Sequence, residues 1–148
     1  MPRRLDHSIE IAAPASRVWS VMVDVEAMPT WSPSMTSVVL ETPGPLAVGS
    51  VALVVQPKLS PTRWTVVDLV PGETFTWRSK GLGTTSTAVH AIEPASVGRV
   101  TVHLSMEFSG PSSRLTGIMA EGYTRNALKF EAEGLKDYCE ANRRAPRR

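Results

Sequence analysis

Apolar and polar residues alternate from Leu5 to Ile11, where Leu5, Ile9 and Ile11 are separated by Asp6, Ser8 and Glu10. That two-residue period marks a half-buried strand. The period then lengthens. Ala13-Pro14 opens a helix, since proline is preorganised for a first helical position, and Val18, Trp19, Met22 and Val23 recur at helical spacing. Asp24 is placed to cap a second short turn through Glu26 to Met28, which Pro29 and Trp31-Ser32-Pro33 end because proline lacks the donor a helix interior needs. Six further strand-like runs follow: Thr36 to Glu41, Ser50 to Gln56, Arg63 to Val70, Glu73 to Lys80, Thr84 to Glu93 and Arg99 to Phe108. The connectors between them are short and rich in Gly and Pro, so neighbouring strands pair as antiparallel hairpins.

Ser109-Gly110-Pro111 closes the strand series, and Ser112 or Ser113 caps a helix running to about Asn142. Its apolar residues fall on two sides: Leu115, Ile118, Met119 and Gly122 on one, Leu128, Ala132, Leu135 and Cys139 on another. A bend or break near Gly122 reconciles them, because glycine weakens a helix interior. The expected fold class is α+β: a seven-stranded curved antiparallel sheet around a long C-terminal helix, with two short helices after the first strand. Residues 1–142 form a single domain, and 143–148 a basic C-terminal tail.

The alternation also assigns faces. The hairpin turning at Pro71-Gly72 sets Trp64, Val66 and Asp68 on one face with Phe75, Trp77 and Ser79, and Arg63, Thr65, Thr76 and Arg78 on the other. Two tryptophans and a phenylalanine turn the first face inward. In the last strand Val102, Leu104, Met106 and Phe108 point inward, and Thr101, His103, Ser105 and Glu107 outward. With a four-residue loop at Ala95 to Gly98, His90 lies opposite His103 on the outer face, which leaves Val89 on the inner one. A slip of one residue would exchange them.

Composition narrows the function classes. With 42% hydrophobic and 20% charged residues among 148, the chain is apolar enough to fold alone. The net charge is +2, but without Arg143, Arg144, Arg147 and Arg148 the remainder carries −2, which argues against a nucleic-acid partner. Cys139 is the single cysteine, so an intramolecular disulfide and a cysteine-rich metal site are excluded, in keeping with a cytoplasmic setting. The N-terminal Arg3-Arg4 has no apolar stretch behind it, so no secretory signal is expected, and no apolar run is long enough for stable membrane insertion.

Several short pieces, in their order, carry a resemblance: Ala13-Pro14 followed by Val18-Trp19, Trp31-Ser32-Pro33, Val48-Gly49, Val70-Pro71-Gly72-Glu73 leading into Phe75-Thr76-Trp77-Arg78, Gly98-Arg99-Val100-Thr101, and Phe108-Ser109-Gly110. From about Asp6 to Tyr138 the chain resembles the START-like (SRPBCC) superfamily, in its polyketide cyclase/dehydrase branch. The resemblance implies a helix-grip fold with a cavity between the concave sheet and the long helix, used for lipids, sterols, polyketides or hormones. It implies no shared catalytic set, since many members only bind or carry their ligand.

The expected ligand-binding residues are Trp64, Val66, Phe75, Trp77, Val89, Leu104, Met106, Phe108, Met119 and Gly122, and the expected partner is a hydrophobic small molecule. No cofactor is called for. A His90, His103, Glu107 metal set is disfavoured because His103 and Glu107 face outward. Cys139 reads as a buried structural thiol. Two functions stay open: a binding or carrier protein, which needs only the cavity, and a cyclase or dehydratase, which also needs an inward titratable group, for which His90 and Asp68 are the candidates.

Overall fold

A computed structural model describes residues 3–143. The element order is β1 (Arg3–Ile11), α1 (Ala15–Val23), a 3₁₀ turn (Val25–Thr30), β2 (Ser37–Leu40), β3 (Val51–Val55), β4 (Thr62–Val70), β5 (Thr74–Gly81), β6 (Thr84–Pro94), β7 (Val100–Ser109) and α2 (Ser113–Arg143). Apart from Arg143, whose backbone ends α2, the basic tail lies outside the described residues. The strands form a seven-stranded sheet in the order β1-β7-β6-β5-β4-β3-β2, with β1 and β7 joined across the whole length of the chain. Every neighbouring pair is antiparallel. The antiparallel neighbours from β2 to β7 are those that the alternation and the short connectors predict, and the whole is the helix-grip architecture that the resemblance implies.

Pro14 precedes the first residue of α1 rather than occupying it, and its carbonyl accepts from the N–H groups of Arg17 and Val18 at 3.0 and 3.1 Å. Asp24 precedes the 3₁₀ turn without a side-chain capping bond. The acid that matters there is Glu26, whose carboxylate accepts from the Leu40 N–H at 2.9 Å. That bond occupies a donor on the short edge strand β2, which would otherwise invite pairing with another chain.

Two register details decide which side chains face α2. Val66 pairs with Trp77, but the next pairs are Asp68 with Thr76 and Leu69 with Phe75, so a bulge sits at Val67. An extra residue on one strand reverses the alternation beyond it. Asp68 is therefore exposed and paired across from outward-facing Thr76, a correction to its placement on the aromatic face. In the last hairpin Pro94 pairs with Val100, leaving a five-residue loop instead of four. His90 thus lies opposite Leu104, while His103 lies opposite Ala91. His90 turns inward and Val89 outward, the reverse of the expected assignment.

Helix α2 runs unbroken past Gly122, which corrects the expected bend. One continuous stripe faces the sheet at spacings of three and four: Ser113, Gly117, Thr124, Leu128, Glu131, Leu135 and Cys139 are buried, with half-buried Ala120 bridging Gly117 and Thr124. Leu115, Ile118 and Met119 are exposed. Gly134 lets the Trp31-Ser32 backbone lie directly on the helix, since a Cβ there would collide with the Trp31 carbonyl oxygen. The solid core lies under the C-terminal half of α2, where Ile11, Val18, Met28, Val102, Ala132 and Leu135 are almost fully buried. Each fully buried aliphatic side chain of this kind contributes about 1.5–3 kcal/mol.

Candidate ligand cavity and its buried acid–base pair

Under the N-terminal half of α2 the interior is hollow. A cavity of about 560 Å³ lies between the concave sheet and the helix, within the roughly 300–1,000 Å³ range of small-molecule sites. The sheet side is built in layers by the pairings Ser79–Ser86–Phe108, Trp77–Ala88–Met106 and Phe75–His90–Leu104. Trp64 closes the β4 side, 5.8 Å from Trp77 between ring centroids. Thr116, Met119, Ala120, Tyr123, Thr124 and Ala127 line the helix side.

Of the expected wall residues, Trp64, Trp77, Leu104, Met106, Phe108 and Met119 line the cavity. Phe75 and Val66 face the same way but are packed behind the wall as core. Val89 belongs to the outer row Thr76–Val89–Ser105, so the alternation leaves only its backbone, between Ala88 and His90, to reach the cavity. Gly122 is exposed on α2 and forms no part of the wall. Met119 is 77% exposed and marks the mouth together with Lys58 and Leu59.

His90 is held from three sides. Its ring stacks on Phe75 at 4.1 Å with the planes 5° apart, and Trp77 meets it edge-on at 5.9 Å. Its Nδ1 lies 3.3 Å from the Phe75 carbonyl oxygen, which can only accept, so Nδ1 carries a proton and donates. That leaves Nε2 directed at α2, where Glu131 Oε2 lies 3.3 Å away. Both side chains are buried, at 5% and 11% exposure. Nε2 and Oε2 thus face each other within hydrogen-bonding reach, beside the cavity both residues line. Such a pair can accept a proton from one atom of a bound molecule and return it to another.

Glu131 escaped the sequence reading. It sits among Lys129, Glu133, Lys136 and Asp137, a charge pattern that suggests a solvated face. The signal was its spacing, since Thr124, Leu128, Glu131 and Leu135 follow one another by three or four residues.

The remaining candidates lie elsewhere. Asp68 is exposed beyond the bulge. His103, on the outer face, accepts or donates between Ser8 Oγ at 2.7 Å and Glu93 Oε1 at 2.9 Å, on the opposite side of the sheet from His90. Among the described residues no three His, Cys, Asp or Glu side chains are grouped to hold a metal. Cys139 is buried against the core, and burial pushes its thiol up to about 11. No helix among the described residues is long and apolar enough to cross a membrane.

A curved antiparallel sheet gripping one long helix over a largely apolar cavity with one open mouth defines a START-like ligand-binding fold. The chain belongs to the polyketide cyclase / dehydrase and lipid transport family, whose model matches residues 2–140. No curated protein matches it. Among solved structures it is similar to the Zhui aromatase/cyclase of a Streptomyces species, with a TM-score of 0.80 at 19% identity over 98% of each chain. A START superfamily protein from Mycobacterium smegmatis gives a TM-score of 0.76 at 15% identity, over 93% of this chain and 97% of that one. Norcoclaurine synthase from Thalictrum flavum gives 0.76 at 14% identity over 97% of each. At these identities the likeness is one of fold.

Proposed function

We propose that this protein binds an apolar or amphipathic small molecule, lipid-like or aromatic and polyketide-like, in the cavity between the sheet and α2. The observation that carries the reading is the hollow itself: the tryptophans and α2 bound about 560 Å³ that no side chain fills. An aromatic-walled cavity of that size favours flat or chain-like apolar bodies. The reading involves no nucleic acid and no membrane insertion, and the single free thiol suits a reducing, cytoplasmic compartment. Mass spectrometry of molecules that copurify with the native protein tests it. A stoichiometric lipid-like or aromatic compound is expected; a protein that is empty, and that takes up no fatty acid, sterol or aromatic polyketone in titration, contradicts it.

A second reading is favoured by one specific observation, the buried pair of His90 and Glu131. In a cyclase or dehydratase acting on a bound carbonyl compound, the pair would remove a proton from the carbon next to the carbonyl and return one to the oxygen. The enol so formed can add to a second carbonyl of the same molecule, and loss of water would follow. Deuterium exchange at the acidic carbons of a bound aryl diketone in D₂O reports the first step. The pair predicts exchange faster than in buffer, and loss of that acceleration in Glu131→Gln and His90→Gln with ligand affinity retained. Equal exchange in all three proteins and in buffer would leave the binding role alone.

A further inference from the structure

We propose that the cavity takes its ligand in one orientation, with the apolar body against Trp64 and Trp77 and an anionic end group, a carboxylate or a phosphate, held at the mouth by Lys58. The inference rests on the ligand-binding reading above and narrows it to amphipathic anions.

The charges lining the cavity are distributed unevenly. Apart from the Tyr123 phenol, only Lys58, His90 and Glu131 among the lining residues carry an acidic or basic side chain. The two deep ones are paired with each other at 3.3 Å. Lys58, at the mouth, has no ion-pair partner among the described residues. An anionic group carried inward would lose its hydration beside Glu131 and a histidine that Glu131 already engages, whereas one left at the mouth keeps water on one side and gains an ammonium on the other. The cavity is thus complementary to a molecule whose apolar part enters first and whose anionic end stays outside.

The backbone at Lys58 gives an independent reason to attach a role to its side chain. Leu59 N–H donates to the Gln56 carbonyl at 3.2 Å, closing a four-residue turn with Pro57 second and Lys58 third. Lys58 has φ +68°, the left-handed conformation found at the third position of a type II turn. Glycine or asparagine adopts it with less strain than lysine. A lysine stands there at a conformational cost, in a loop that points it at the cavity mouth.

The loop is also anchored to both sides of the opening. Tyr123 Oη on α2 donates to the Pro57 carbonyl at 2.8 Å, and burial pushes the Tyr123 hydroxyl up, which keeps it a donor. Gln56 Nε2 donates to the Ser34 carbonyl at 3.3 Å. These bonds fix the residues before Lys58 at the rim and engage none of its ammonium protons.

The test compares cis-parinaric acid with its methyl ester, followed by probe fluorescence at low ionic strength. Wild-type protein is expected to bind the acid about tenfold more tightly than the ester, with the preference shrinking in high salt. Lys58→Asn preserves the left-handed turn, so its Tm should equal or exceed that of the wild type. In it the acid should fall to the affinity of the ester, whose own binding is unchanged, and Lys58→Arg should restore the preference. A long-chain alkyl phosphate in the same assay distinguishes the two anions: tighter binding than the acid, again lost in Lys58→Asn, assigns the site to phosphate. Equal binding of acid and ester by the wild type, or a preference that survives in Lys58→Asn, overturns the orientation while leaving the cavity as a ligand site. Failure of both probes to bind would count against the ligand-binding reading itself, and the orientation would fall with it.

Discussion

The two halves of α2 present the same side of one helix to the same sheet, yet one half fills the interior and the other leaves it open. From Leu128 to Cys139 the inward residues are Leu128, Ala132, Leu135 and Cys139, and they close the core against the sheet and α1. Along the cavity the helix presents Thr116, Ala120, Thr124 and Ala127, small or hydroxylated, with Tyr123 and, at the mouth, Met119, while Leu115 and Ile118 face out. Large apolar side chains make a core, whereas small ones on the same stripe stand off and leave a cavity with hydroxyls in its wall. Glu131 sits at the junction, where the core keeps water off one side and the cavity admits a ligand on the other.

Truncation should separate the halves most sharply. Leu135→Ala, at a site 1% exposed, is expected to cost about 2–5 kcal/mol, because the surrounding core cannot collapse fully onto the void. Thr124→Ala, beside an existing cavity, should cost less than about 1 kcal/mol. Urea unfolding midpoints at constant slope check the difference. Similar losses at the two sites would mean that the N-terminal half is packed after all.

Enlargement should give a smaller contrast of the same sign. Ala132→Leu places three extra carbons in a fully buried site and is expected to destabilise by about 1–3 kcal/mol. Ala127→Leu points into the cavity, where there is room, and should leave the midpoint within about 0.5 kcal/mol of wild type. Thermal or urea midpoints again decide, and a large loss from Ala127→Leu would contradict the hollow.

The smallest effect concerns Cys139 and pH. Its folded thiol is raised to about 11 by burial, above the roughly 8.5 of an exposed thiol, so the folded state favours the protonated form. The corresponding stability is complete below the unfolded value and is lost as pH rises from there through about 11. The native thiol should resist iodoacetamide at pH 8 and react at the rate of global unfolding. Rapid labelling of folded protein would mean that the C-terminal half of α2 opens locally.

Much of the fold could be read from the sequence because strand alternation and Gly/Pro punctuation are local. The seven strands, the short helix and turn, and the long helix all lie close to where the period-two and helical patterns put them. Trp64, Trp77, Leu104, Met106 and Phe108 share the cavity for the same reason. What could not be read depends on single-residue register. The bulge at Val67 turns Asp68 outward, and one additional residue in the β6–β7 loop turns His90 inward; neither has a signature in composition. The expected break at Gly122 arose from following only apolar residues along α2. The stripe is continuous once Thr124 and Glu131 are counted, and a helix that lines a cavity rather than a packed core has no need of a wholly apolar face.

The central claim is that the open half of the interior is a ligand site. Its most direct test is saturation binding of an environment-sensitive hydrophobic dye to the wild type and to Ala127→Phe, whose ring would occupy the cavity. The account predicts one saturable site in the wild type, with quenching of tryptophan emission through Trp64 and Trp77, and loss of that site in Ala127→Phe with its Tm essentially unchanged. Undiminished one-to-one binding in a folded Ala127→Phe, or no saturable binding to the wild type, would contradict it.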